Sequence, residues 1–250
     1  MKDVVYKNFK KSSRYYDIIY SSKNYKKEAE YILSFLNNSK KKQILDLGCG
    51  TGSHLKYFSK KFNSCTGIDM SKEMLKYAKI KNNFSNTKYL NKDISAYKSK
   101  KKFDIIISLF HVVNYLKTKS EINNFFYNSH FNLKKGGYLI FDFWNSNLRN
   151  RKIHRKIKYF YDKRNKIKRI SVSRFQKHKN LTRVRFTFQE KLTSKYENIF
   201  KEDHLMKIYS LNKLKRYALN NKFHYLNSFN WLSKKKLTIN SKAGIVIFQK

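Results

Sequence analysis

The chain has 250 residues, with 57 Lys and Arg against 16 Asp and Glu, for a formal charge of +41. Hydrophobic residues at 40% and aromatics at 16% suffice for one ordinary core, and no apolar run approaches the ~20 residues of a membrane span. Two cysteines, Cys49 and Cys65, exclude a disulfide framework and fit a reduced, cytoplasmic setting.

In chain order, residues 11–40 open with Tyr15, Tyr16, Tyr20 and Tyr25 and continue as a helix carrying Ala29, Ile32, Leu33 and Leu36 at i, i+3, i+4, i+7. The pattern predicts a strand over 43–47, a helix over 54–62 and a second strand over 63–69. Ser71 caps a helix whose apolar stripe is Met74, Leu75 and Ala78. A short strand at 88–91 leads to Asp93. The near-continuous apolar run 103–109 predicts a central strand buried on both faces. Ser120 caps a helix bearing Ile122, Phe125, Phe126 and Leu133, Gly136-Gly137 stops it, and residues 138–143 form a fifth strand. Strands alternating with helices predict an α/β protein with a parallel, doubly wound, Rossmann-like sheet.

The pattern then changes. A basic stretch from Arg149 to Arg169 precedes segments of period two, with Val184, Phe186 and Phe188 alternating against Arg183 and Arg185. These predict an antiparallel meander at 148–208. A helix at 211–221 and strands at 223–229 and 244–248 follow. The expected organisation is one sheet domain, 1–147 and 209–250, interrupted by a β insertion.

The run Ile44-Leu45-Asp46-Leu47-Gly48-Cys49-Gly50-Thr51-Gly52 is the most specific signal. An apolar strand reaches an acid and then glycines spaced G-x-G-x-G. A dinucleotide loop needs G-x-G-x-x-G, and a P-loop needs Gly-Lys-Ser/Thr at its end, where this chain has Ser53-His54. A carboxylate at the mouth repels phosphate and suits an ammonium group. A second acid, Asp69, ends the next predicted strand 21 residues after Gly48, a spacing that suits a ribose-binding carboxylate.

D-L-G-C-G-T-G resembles motif I of the class I S-adenosylmethionine (SAM) dependent methyltransferases. The resemblance implies a seven-stranded sheet and SAM as methyl donor. It places Asp46, Gly48, Cys49, Gly50 and Gly52 against the methionine moiety and Asp69 on the ribose. Met70 would meet the adenine or pack in the core, and Met74 and Leu109 would complete the pocket. Asp93-Ile94 resembles the third motif, where an acid approaches the adenine amino group; a loop-capping Asp is the other reading.

The segment Ser108-Leu109-Phe110-His111-Val112-Val113-Asn114-Tyr115 faces the methyl group in this fold. It lacks the proline motif of adenine-N6 enzymes and the Pro-Cys nucleophile of cytosine-C5 enzymes. His111 is a candidate general base, or a polar residue that only lines the pocket. Together with L-K-K-G-G-Y-L-I-F-D-F-W, H-L-M-K-I-Y and G-I-V-I-F, this segment resembles the N-methyltransferases of nucleotide-linked amino sugars. Layouts of this kind also serve other amines, acids and hydroxyls. In that group an N-terminal tyrosine closes over SAM, which points to Tyr16 and Tyr25.

Phe110, Asn114, Tyr115 and Trp144 are acceptor-pocket candidates, and His204 either lines that pocket or packs. Arg183 is a candidate for a diphosphate, and the insertion for a substrate lid. The basic run is read first as solvated surface in a compositionally biased chain, next as a diphosphate contact, last as an RNA strip. Absent proline and abundant Lys, Asn, Ile, Phe and Tyr follow A/T-rich codons, although such drift does not explain the scarcity of acids. The partner expected is a small-molecule acceptor, with RNA or protein methylation as the alternative. No metal spacing, signal peptide or membrane segment is read. A monomer or homodimer is expected.

Overall fold

The computed structural model describes residues 9–37, 39–145, 153–161, 166–176, 180–191, 195–238 and 240–250. Among these, the strands in chain order are β1 (Gln43–Leu47), β2 (Ser64–Asp69), β3 (Thr87–Asn91), β4 (Phe103–Ser108), β5 (Leu133–Trp144), β6 (His154–Tyr161), β7 (Lys166–Gln176), β8 (Leu181–Lys191), β9 (Tyr196–Lys207), β10 (His224–Asn230) and β11 (Ala243–Gln249). The helices are α1 (Tyr16–Ile19), α2 (Tyr25–Leu33), α3 (Leu55–Phe58), α4 (Lys72–Lys81), α5 (Lys119–Asn132) and α6 (Leu211–Asn220).

One sheet has seven strands in the order β10-β11-β5-β4-β1-β2-β3. β1 pairs in parallel with β2 on one side and β4 on the other, so chain order reverses there. In open α/β sheets a crevice opens at the carboxyl ends beside that reversal. Successive residues of the central strands serve opposite layers. Leu45 and Ile106 join the core under α5 and α6, with Phe125, Phe126 and Leu214. Ile44 and Ile105 join the core under α2, α3 and α4, with Ile32, Phe58 and Leu75. This two-sided burial explains why β4 reads as an unbroken apolar run.

The other sheet has four antiparallel strands in the order β6-β7-β8-β9. Its inner face forms a third core, in which Ile167, Phe188 and Phe200 meet Tyr15 and Ile19 of the N-terminal segment. Hydrogen bonds tie that segment to the sheet: Tyr15 donates to Glu190 (3.2 Å), the Ser12 amide to Glu202 (3.3 Å), and Arg169 to the Tyr20 hydroxyl (3.3 Å). Arg149, Arg151, Lys152, Lys163 and Arg164 of the basic run lie outside the described residues.

Local chemistry corrects several predicted boundaries. α4 is capped by Ser71 as expected. α5 is capped by Thr118 rather than Ser120, because Thr118 and Glu121 form a reciprocal capping box. α5 stops at Asn132 without help from glycine, and Gly136-Gly137 lies inside β5. The Asn132 side chain is spent on the Ser99 amide and the Tyr97 carbonyl, and Leu133 is already extended. Of the helix predicted over 54–62 only one turn, α3, forms. The remainder is turn, yet Phe58 and Phe62 still bury and meet edge to face at 5.9 Å.

Candidate active site

A cleft opens at the carboxyl ends of β1, β2 and β4, roofed by the N-terminal tyrosines and the inner face of the four-stranded sheet. Its first half is built by the glycine loop. The Gly48 and Cys49 amides both donate to the Ile68 carbonyl (2.8 and 3.0 Å), which lashes the loop to the end of β2. Gly50 lines the cleft at φ +54°, and a Cβ there would meet nothing within 4 Å, so bare backbone faces the space. Asp69 accepts from the Gly50 amide (2.9 Å) and the Ser71 amide (2.8 Å). Each of its oxygens keeps a further lone pair for a ligand. Burial raises the Asp69 carboxyl, against the pull of those amides.

Asp46 lies just behind the loop, 1% exposed, and its Oδ2 has no hydrogen-bond partner. Burial, then the charge of Asp69, pushes its carboxyl up to about 8. A buried carboxylate without a partner is costly, and a cationic ligand in the adjoining cleft would offset that cost.

The other half centres on His111. Phe110 (φ 71°) and His111 (φ 62°) are consecutive non-glycine residues in the left-handed region. Such backbone costs about 1–3 kcal/mol per residue and persists where surroundings over-determine it. Here Asp142 does so. Its Oδ1 accepts the His111 amide (3.0 Å), and its Oδ2 stands 2.7 Å from His111 Nδ1. Asp142 is 1% exposed. Burial alone would raise its carboxyl, but the charge and hydrogen bonds of His111 hold it below the usual carboxylate range. With Nδ1 engaged, Nε2 is the ring nitrogen His111 offers to a ligand.

Of the residues expected at the donor end, Tyr16, Tyr25, Gly48, Cys49, Gly50, Asp69, Met70, Met74, Asp93, Ile94 and Leu109 line the cleft. Asp93 also caps its loop, accepting from the Ser95 amide and hydroxyl (2.8 Å each), so both readings of it describe the residue. Gly52 does not line the cleft. A Cβ there would lie 2.5 Å from the Tyr89 hydroxyl, so packing behind the loop sets its identity.

At the acceptor end Phe110, His111, Tyr115 and Trp144 line the cleft, and Asn114 and Arg183 do not. Asn114 is fully buried, donating to the Lys207 carbonyl and accepting from the Trp144 amide. It fastens the loop after β4 to β5 and β9. Arg183 is exposed on the outer face of β8, opposite the Val184 and Phe186 side chains that reach the cleft.

The structure adds residues that the sequence did not single out. Tyr20 meets Phe110 edge to face (5.0 Å), and His54 bonds Glu28 (2.7 Å) beneath the Tyr25 ring. Phe9, Phe186 and Met206 close the acceptor end. His204, which the sequence did single out and left between pocket and packing, lines the cleft and is 2% exposed, its Nδ1 sharing a hydrogen bond with the Tyr115 hydroxyl (2.7 Å). The position of His54, two residues after Gly52, was a usable signal. No local signal marks Phe9 or Met206, which arrive from sequence positions about 200 residues apart.

Residues 44–137 match the methyltransferase domain family. A curated relative is the dTDP-3-amino-3,4,6-trideoxy-alpha-D-glucopyranose N,N-dimethyltransferase of Streptomyces venezuelae, 29% identical over 133 residues, covering 52% of this chain and 55% of that protein. The chain thus spans about half the length of the curated relatives it matches. Among solved structures, an S-adenosylmethionine-dependent methyltransferase from Clostridium acetobutylicum superposes with a TM-score of 0.80 at 23% identity, covering 96% of this chain and 97% of that one. The SAM-bound amino pentose methyltransferase CalS10 of Micromonospora echinaspora gives 0.73 at 19%, covering 90% of each chain. Residues 44–137 are thus similar to a methyltransferase domain, and the chain has the fold of these S-adenosylmethionine-dependent methyltransferase structures.

Proposed function

We propose that this protein transfers a methyl group from SAM to the amino group of a small-molecule acceptor, a nucleotide-linked amino sugar being the best candidate. The observation that carries the reading is the continuity of one cleft, in which Gly50, Asp69 and the space before Asp46 run into the His111–Asp142 pair. The donor end fits SAM on its own chemistry. Bare backbone at Gly50 admits the methionine portion, the unpartnered Asp46 carboxylate favours a cation, and Asp69 can accept both ribose hydroxyls.

SAM supplies an electrophilic sulfonium methyl. The residues of the chain place the acceptor nitrogen in line with it, and alignment of this kind supplies much of the rate gain in such transfers. Phe110 and Trp144 flank His111 and exclude water. His111 Nε2 takes a proton from the attacking amine, and the Asp142 carboxylate steadies the imidazolium that forms. The four-stranded sheet serves as the substrate lid, and it brings His204 to Tyr115 at the acceptor end. The amino-sugar assignment is supported by what the Streptomyces and Micromonospora proteins are named for.

The test is incubation of the purified protein with radiolabelled SAM and a panel of nucleotide-linked amino sugars, free amines and total RNA. Label on an amino sugar, abolished by Asp69→Ala, is the expected result. Label on RNA alone would overturn the choice of a small-molecule amine, and no transfer to any acceptor would overturn the activity.

A further inference from the structure

Arginine is not distributed like lysine in this chain. The sequence holds ten arginines against forty-seven lysines, and eight of the ten fall between Arg149 and Arg185. A/T-rich codon drift favours lysine over arginine everywhere, so it does not produce one arginine-rich segment. Guanidinium groups are the better bidentate readers of phosphate. The described members of that segment are sorted by the sheet. Arg169 points inward, where it is nearly buried against Tyr20, Phe160 and Phe186. Arg155, Arg174, Arg183 and Arg185 are all exposed, on the face turned away from the cleft.

That outer face has two properties that a merely solvated surface does not need. Arg174 and Arg183 stand directly opposite each other on β7 and β8. Like charges so placed destabilise a sheet, and a bound polyanion would relieve them. Among the described residues on the face, Asp203 is the one acid, and it is occupied by a bidentate contact from Arg185 (3.0 Å to each oxygen). The second property is aromatic. Tyr159 and Tyr161 on the edge strand β6 are 49% and 61% exposed. The Tyr159 ring is 5.9 Å from that of Tyr196, and Lys168 lies over both. Unstacked bases stack on such rings while cations follow the backbone phosphates.

We infer that the outer face of the four-stranded sheet is a docking surface for single-stranded RNA. Bases would stack on the Tyr159, Tyr161 and Tyr196 rings, and phosphates would pair with Arg155, Arg174 and Arg183. The surface lies on the far side of the sheet from His111, so it holds RNA without presenting a base to the methyl group. It is independent of the small-molecule reading of the cleft, and either can fail alone.

The test is fluorescence anisotropy of a labelled oligouridine of about 20 nucleotides, read from ~50 to ~300 mM salt. Anionic phospholipid vesicles run in parallel, with S-adenosylhomocysteine binding as the check on folding. The triple change Arg155→Gln, Arg174→Gln, Arg183→Gln is expected to weaken RNA binding at least ~10-fold and to reduce the slope of log affinity against log salt by about 2. A charge-matched change of three exposed lysines elsewhere, Lys60, Lys61 and Lys76 to Gln, is expected to leave most of the affinity. Tyr159→Ala with Tyr161→Ala is expected to cost ~10-fold even at high salt, where stacking dominates. Arg→Lys changes at the three arginines keep the charge should the glutamine form misfold, and are expected to preserve the salt slope. The inference is overturned if the lysine control loses as much as the arginine variant, if vesicles bind and RNA does not, or if the wild-type protein binds no RNA at ~50 mM salt.

Discussion

The cleft and the outer face of the four-stranded sheet are opposites in one molecule. A chain with only 16 acids places Asp46, Asp69 and Asp142 at or behind the cleft, Asp46 and Asp142 buried and Asp69 half-buried, each without a lysine or arginine partner within ion-pairing distance among the described residues. The outer face carries exposed arginines and a single acid among its described residues. Burial magnifies a charge and exposure screens it. A few buried acids can therefore act strongly on a ligand beside them, while many cations are needed to give a surface a positive character. The overall charge of +41 describes the surface and says nothing of the site.

The contrast can be broken most decisively at Asp69. Asp69→Ala removes the proposed acceptor for the ribose hydroxyls and also frees the Gly50 and Ser71 amides. Its expected cost to S-adenosylhomocysteine binding is about 2–4 kcal/mol, read by calorimetry, with RNA binding unchanged. Unaltered affinity would mean that the donor does not lie along β2.

Next in size is Asp142→Asn. It keeps the shape but removes the negative charge behind His111. Methyl transfer is expected to fall about 100-fold in kcat with donor affinity kept. The Asp142 carboxyl is held below the usual carboxylate range by His111, so it does not itself titrate in the working range. A fall in donor affinity instead would show that the pair is structural.

Asp46 sharpens the contrast through pH. Its carboxyl is raised to about 8 in the folded protein, so the folded state holds a proton that the unfolded chain releases near pH 4. That preference favours folding at low pH and is lost as pH rises toward 8. A cationic ligand prefers the ionised form, so SAM affinity is expected to rise between about pH 6.5 and 8, by at most tenfold per unit. Asp46→Asn should flatten that dependence. A flat wild-type profile would separate Asp46 from the ligand.

The smallest effect is expected at Thr118→Ala. Loss of its bond to the Glu121 amide (3.1 Å) should cost about 1 kcal/mol of stability in chemical denaturation, with both binding activities intact. A larger loss would implicate the loop after β4, which Thr118 closes.

Much of the site was legible because its chemistry is local. The glycine loop, Asp69 and His111 sit at strand ends, and strand ends follow from hydrophobic period. The Ser71 cap was legible for the same reason, and the Thr118 cap was missed because two hydroxyl residues two positions apart compete and only the Glu121 spacing decides. Asn114 read as a site residue because it lies beside His111 in sequence, yet its amide is consumed by partners 30 and 93 positions away.

By itself, the sequence determined the alternation of strand and helix, the acid-and-glycine loop and the β insertion, since each rests on periodicity or on residue types a few positions apart. The tertiary structure decided which face of the insertion meets the cleft. That choice sends Val184, Phe186, His204 and Met206 inward and Arg183 outward. A strand's alternation names two faces without saying which one is covered, and here the cover is the N-terminal Tyr15 and Ile19, supplied from about 170 residues away.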